Sequence, residues 1–243
     1  MQILLFTDFG AADLYVGQVH SVLAAQAPGV PVIDLLHEAP RYDPRAGAHL
    51  LAAMTLQLPP RCVVMAVVDP GVGGPRRALA VRAGGRWLVG PDNGLLSVAA
   101  VRAERAEVHE IVWRPDRLSE TFHGRDLFAP AAARLARGDN PAGIVAACDG
   151  FDVMLDPADL AEVIYIDHYG NGITGLHVEG IPAAAHLCIG DRRLVFARTF
   201  SAAAAGTPFW YAGSLGLAEI AVSGGSAAAA LGIQVGDPVR LKR

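Results

Sequence analysis

Apolar and polar positions change rhythm along the chain. In the first half, near-continuous apolar runs at 2–7, 30–35, 62–68 and 86–90 have the length and branched-residue content of strands buried on both faces. Helical patterns fill 13–27 and 44–56 between them, and a further one covers 127–135. Strand and helix in alternation predict crossover connections, so this part reads as an α/β domain with a mainly parallel sheet flanked by helices. Near residue 138 the texture shifts. Gly138, Asp139, Asn140 and Pro141, then Asp149, Gly150, Asp156 and Pro157, interrupt the chain as turn formers do. Beyond them, short strand-like runs at 163–167, 173–178, 185–189, 193–197, 209–212, 219–222 and 238–241 are spaced by turn residues, the pattern of a smaller all-β, barrel-like domain. The expected division is an α/β domain over 1–150 and a β domain over 158–243.

Composition narrows the partner. With 243 residues, 52% hydrophobic and 18% charged, the chain can bury a substantial core and is far from the disordered class. Its 20 basic and 24 acidic residues leave a net charge of −4 with no basic run, which gives neither nucleic acid nor an anionic membrane an electrostatic footprint. A small-molecule partner is favoured. Cys62, Cys148 and Cys188 lie far apart without a Cys-x-x-Cys pair, which argues against a disulfide scaffold and a Cys-rich zinc site. The N-terminus has no basic leader, and no apolar run approaches the roughly 20 residues needed to span a bilayer. A cytoplasmic protein is expected.

In a parallel sheet ligands gather at the carboxyl ends of the strands, which directs attention to Asp8, Asp69 and Asp92. Asp8 can accept hydrogen bonds from a ribose diol; alternatively Asp8 or Asp13 caps the following helix. Asp69 opens the turn Asp69-Pro70-Gly71-Val72-Gly73, either a plain turn or, with Arg76 seven positions on, an acid and a cation converging on one small site. Asn93-Gly94 reads as a pocket-shaping turn. His123 stands at a helix start beside Phe122, Gly124, Arg125 and Asp126. In the second half, Asp167 to Asn171 is either an Asx-stabilised turn or a ligand-binding corner. Gly213-Ser214 and Gly224-Gly225-Ser226 are turns that could also edge a purine.

Taken in order, these segments resemble the S-adenosylmethionine (SAM) hydroxide adenosyltransferase family, relatives of the fluorinases and chlorinases. The resemblance rests on Thr7-Asp8-Phe9-Gly10, His37 through Tyr42, Val68 through Gly73, Gly90 through Leu96, Thr121 through Phe128, Asp167 through Asn171 and Gly213 through Ala228. It implies hydrolysis of SAM to adenosine and L-methionine, with Asp69, Arg76 and His123 as the water-activating trio that the halogenases replace. It further implies that Asp8 binds the ribose hydroxyls, Tyr42 packs on the substrate and Asp167 holds the methionine ammonium. Asn171 and the backbone near Val222 would meet adenine, with Ser214 and Glu219 lining the same half. A homotrimer with sites between subunits is implied, with no metal and no organic cofactor. Gly74, just before Arg76, and Gly175 and Ser223 depart from the family pattern, which leaves the trio itself intact and bears on substrate affinity. Two other readings are a SAM- or adenosine-binding sensor without turnover, and a metal-dependent nucleotidase, for which Asp8 lacks companion carboxylates.

Overall fold

A computed structural model describes residues 1–242 and resolves the chain into two compact units, Met1–Pro157 and a second beginning at Ala158. The first unit is built from β1 (Ile3–Thr7), α1 (Leu14–Gln26), β2 (Val32–Leu36), α2 (Pro44–Thr55), β3 (Val63–Val67), β4 (Ala78–Ala83), β5 (Arg86–Pro91), α3 (Ser97–Arg102), β6 (Ala106–Ile111), α4 (Ala129–Arg137) and β7 (Val145–Ala147). Its seven strands lie in the order β2-β1-β3-β5-β4-β6-β7. β1 pairs in parallel with β2 and β3, and β3 with β5, whereas β5-β4, β4-β6 and β6-β7 are antiparallel. Strands β2, β1, β3, β5 and β6 therefore share one direction.

The apolar runs become the centre of this sheet: every residue of β1 and β3 is buried. Ile3, Leu5, Val63 and Met65 pack against Leu23 of α1 and against Phe128 and Leu135, and each such side chain removed from water contributes about 1.5–3 kcal/mol. Local chemistry sets the helix ends. Asp13 caps α1 by accepting from Leu14 N–H, and Asp43 caps α2 ahead of Pro44; Gly138, left-handed at φ 85°, ends α4 where a Cβ would be strained. The periodic pattern did not anticipate β4, β6 and β7. β4 reads Ala-Leu-Ala-Val-Arg-Ala, a helix-compatible run, and β6 alternates charged and apolar residues at the half-exposed end of the sheet.

The second unit holds β8 (Leu160–Ile166), β9 (Gly172–His177), β10 (His186–Ile189), β11 (Arg192–Phe196), β12 (Pro208–Ala212), β13 (Leu217–Val222), the short α5 (Ala227–Leu231) and β14 (Val239–Lys242). The order is β14-β10-β11-β12-β13-β9-β8, antiparallel except for β11-β12. A bridge between Glu162 and Pro238 ties the two edges, so the sheet nearly closes into a barrel, which removes exposed edges. Its interior holds Val163, Leu187, Trp210, Ile220 and Val239, with the Trp210 indole N–H donating to the Ala185 carbonyl at 3.1 Å. No helix among the described residues is long and apolar enough to cross a membrane.

Candidate active site

In the first unit a cavity of about 440 Å³ opens where the chain leaves β1 and β3, lined by Asp8, Tyr42, Asp69, Val72, Phe122 and His123 among others. This is the carboxyl end of the parallel strands, where crossover loops converge and leave a crevice. Arg76 reaches Asp69 through Nε, 3.0 Å from each carboxylate oxygen, and through Nη2. The same Nη2 lies 2.9 Å from His123 Nδ1. A guanidinium only donates, so His123 Nδ1 accepts, and the imidazole is neutral with its proton on Nε2. Burial, and then the Arg76 charge beside it, hold the His123 pKa below the ordinary imidazole value, in keeping with that neutral form.

The trio is held from several sides. The turn after Asp69 needs Gly73, which has φ 82° and whose Cβ would stand 2.5 Å from the Glu120 carbonyl oxygen. The Arg76 guanidinium lies 5.3 Å from the centre of the Phe128 ring, a cation–π contact. His123 precedes a π-helical turn, Gly124–Phe128, that runs into α4; such turns are frequent at functional sites. Asp126 accepts from Ser119 N–H at 2.9 Å and pairs with Arg125, fastening the loop that carries His123.

Asp8 faces the cavity and does not cap α1, a task that falls to Asp13. Its carboxylate accepts from Tyr42 N–H at 3.3 Å. Burial raises its pKa, opposed by that hydrogen bond, and the Asp69 charge adds to the rise. Tyr42 has φ 58° and is 77% exposed: a left-handed aromatic residue on the rim, a strained state that clusters at ligand sites. Asp92, the third strand-end acid, does something else. Its buried carboxylate accepts from Arg77 and from Asp152 N–H, which makes it a structural tie outside this cavity.

The remaining expected residues, Asp167, Asn171, Ser214, Glu219 and Val222, line a cavity of about 800 Å³ in the second unit. Asp167 takes the Asx-turn form, accepting from Asn171 N–H and Nδ2, both at 2.8 Å. That bond fixes the Asn171 amide and leaves its Oδ1 buried without a partner, an acceptor that a ligand N–H would satisfy. The Val222 carbonyl accepts from Gly225 N–H at 3.1 Å. Tyr211 faces Glu219 across the β12-β13 ladder and donates its hydroxyl to the carboxylate. Burial raises the Glu219 pKa and the neighbouring Asp167 charge adds to it, against the Tyr211 hydrogen bond. The sequence reading missed Tyr211, which is recognisable only from strand register. Of the three departures, Gly175 is required by packing, since a Cβ there would lie 2.5 Å from the Leu160 carbonyl oxygen. Ser223 Oγ donates to the Phe200 carbonyl at 3.3 Å, and Gly74 closes a turn onto Gly71.

An α/β unit carrying an Asp-Arg-His network and a β-barrel-like unit carrying an open cavity with apolar walls define a two-domain α/β-plus-β-barrel protein. Family models agree. Residues 3–145 match the SAM hydroxide adenosyltransferase N-terminal domain and residues 161–240 the C-terminal domain, so the chain belongs to that family. Among its relatives, a protein of Thermus thermophilus named (R)-S-adenosyl-L-methionine hydrolase is 43% identical, with 98% of each chain covered. One of the same name from Salinispora arenicola is 43% identical over 97% of this chain and 95% of that protein. A crystal structure of an uncharacterized conserved protein from Thermotoga maritima superposes with a TM-score of 0.90 at 30% identity, covering all of both chains.

Proposed function

We propose that the protein hydrolyses SAM to adenosine and L-methionine. The observation that carries this is the Asp69-Arg76-His123 network set beside Asp8 at the strand ends. Attack at C5′ of a sulfonium has a good leaving group, so the difficulty lies in the nucleophile: water has a pKa of about 15.7. Arg76 supplies the positive charge that stabilises a developing hydroxide. His123, its Nδ1 engaged by Arg76, offers Nε2–H to hold the water. Asp69 is then the proton acceptor. Oxygen bonds to C5′ as the C5′–S bond breaks, the electron pair remains on the methionine sulfur, and the water proton passes through Asp69 to solvent.

Asp8 takes the ribose diol and Tyr42 packs on the substrate, while Asp167 and Glu219 attract the cationic amino acid end and Asn171 Oδ1 accepts from adenine. Binding energy from these remote groups holds C5′ in line with the water. The ligand set at the trio also supports a reaction without metal or organic cofactor, because Asp69 is already engaged through both oxygens by Arg76. The water-activating groups share one cavity with Asp8 and Tyr42, whereas the groups for adenine and the amino acid end line another, and each is edged by an exposed aromatic, Tyr42 in the first and Tyr169, 75% exposed, in the second. A neighbouring subunit that brings the second cavity to the first would complete each site; the assembly proposed is a homotrimer of this kind, in the cytoplasm.

Incubation with SAM followed by chromatography tests the proposal. Adenosine and methionine in equal amounts are expected. Binding without products would point to a sensor, and phosphate release from nucleotides to a metal-dependent nucleotidase.

A further inference from the structure

Outside both cavities, α1 and the end of β2 bring together two imidazoles and a carboxylate. His20 Nε2 lies 2.7 Å from Asp34 Oδ1, and His37 Nε2 lies 3.0 Å from the same oxygen. The three candidate ligand atoms fall within 4.8 Å of one another. His37 is the anchor. Its side chain is 5% exposed, its Nδ1 lies 2.8 Å from Thr7 Oγ1, and its carbonyl accepts from Gly10 N–H at 2.8 Å. Its Nε2 is buried without a hydrogen-bond partner: the Asp34 oxygen is near enough for attraction but out of line for a hydrogen bond. A ring nitrogen facing a second imidazole and a carboxylate, with the other ring nitrogen on a hydroxyl that fixes the ring, is how metal-binding histidines are commonly oriented.

We propose that His20, Asp34 and His37 form a binding site for a divalent transition-metal ion of the zinc class. Two nitrogens and one oxygen suit zinc, cobalt or nickel and do not suit magnesium or calcium, which take oxygen ligands. A tetrahedral zinc ion holds such ligands at about 2.1 Å and therefore about 3.4 Å from one another. The cluster needs Asp34 to move back by about 0.4–0.7 Å and the two imidazole nitrogens, within 4.8 Å of each other, to settle at the same spacing, which is feasible because Asp34 is 48% and His20 36% exposed, while His37 stays fixed. Solvent reaches Asp34, so water fills the remaining position. Bound there, the ion clamps α1 to edge strand β2 and, through His37 and Thr7, braces the loop that carries Asp8. It departs from the expectation of a metal-free chain and leaves the proposed hydrolysis, whose groups lie in the neighbouring cavity, without a metal in its steps.

The test is titration calorimetry of chelator-stripped protein with zinc chloride, alongside His20→Ala, Asp34→Ala and the double variant. The altered side chains are partly exposed, so folding should survive, as circular dichroism can check. One ion per chain is expected, with affinity lowered about tenfold or more in each single variant, and with magnesium giving no heat. Zinc binding unchanged in the double variant would place the ion elsewhere and overturn the proposal, as would no binding to the unaltered chain. Either result leaves the hydrolase reading standing, because the readout is binding and not turnover.

Discussion

The two cavities are built from contrasting materials. In the first unit Asp69, Arg76 and His123 are joined by hydrogen bonds in a cavity shared with Asp8, and the positions of Asp69 and His123 are both set by Arg76. In the second, Ile173, Phe200, Leu215 and Val222 form apolar walls, Asp167 and Glu219 supply negative charge, and among the described residues no arginine, lysine or histidine lines the cavity. A preorganised set of opposite charges stabilises charge that develops during a reaction. An apolar chamber with a few fixed acceptors binds and orients instead. Damage to the Asp69-Arg76-His123 network should therefore lower kcat, and damage to the second cavity should raise KM.

The largest effect is expected for Asp69→Asn, which keeps the shape but removes the proton acceptor. A loss in kcat of about 10²–10⁴-fold with little change in KM should appear in steady-state assays of adenosine formation; a KM effect alone would erase the distinction between the cavities. Asn171→Ala comes next. Loss of a buried acceptor for the ligand costs about 1–3 kcal/mol, so KM should rise about tenfold or more while kcat holds.

A smaller, graded effect is set by pH. His123 must be neutral to accept from Arg76, and its pKa is lowered by burial and by that arginine. Activity should stay level from neutrality down past the ordinary imidazole value of about 6.5 and fall only at lower pH, as protonation sets two cations against each other. An acid limb centred above 6.5 would contradict this arrangement. Glu219→Gln probes the other cavity. The raised pKa of Glu219 means that its contribution to stability is most favourable below the unfolded-state value and is lost as pH rises through the folded one. The glutamine variant should gain in Tm relative to the unaltered protein as pH increases, and thermal melts across that range can follow it. The least effect is expected from a chelator: no metal enters the proposed steps, so loss of an ion that only braces the Asp8 loop should change turnover less than any substitution above.

These contrasts were unevenly legible in the sequence. Strands β1 and β3 stood out because both faces are buried, and the acids that follow them mark the site for the same topological reason. The seven-residue spacing of Asp69 and Arg76 does become an ion pair. Position alone could not separate Asp8 from Asp92, since the difference lies in Arg77, which donates to Asp92, whereas Asp8 accepts from Tyr42 N–H. Strands β4, β6 and β7 escaped because alanine-rich or half-exposed strands carry weak periodicity. The Tyr211–Glu219 pair and the unsatisfied Asn171 oxygen depend on strand register and turn geometry, which no local pattern encodes.

The central claim is that an activated water attacks C5′ of SAM. Turnover in water enriched in heavy oxygen, with mass analysis of both products, tests it most directly. Adenosine should carry one heavy oxygen at its 5′ hydroxyl and methionine none. Unlabelled adenosine, or label in methionine, would contradict the account.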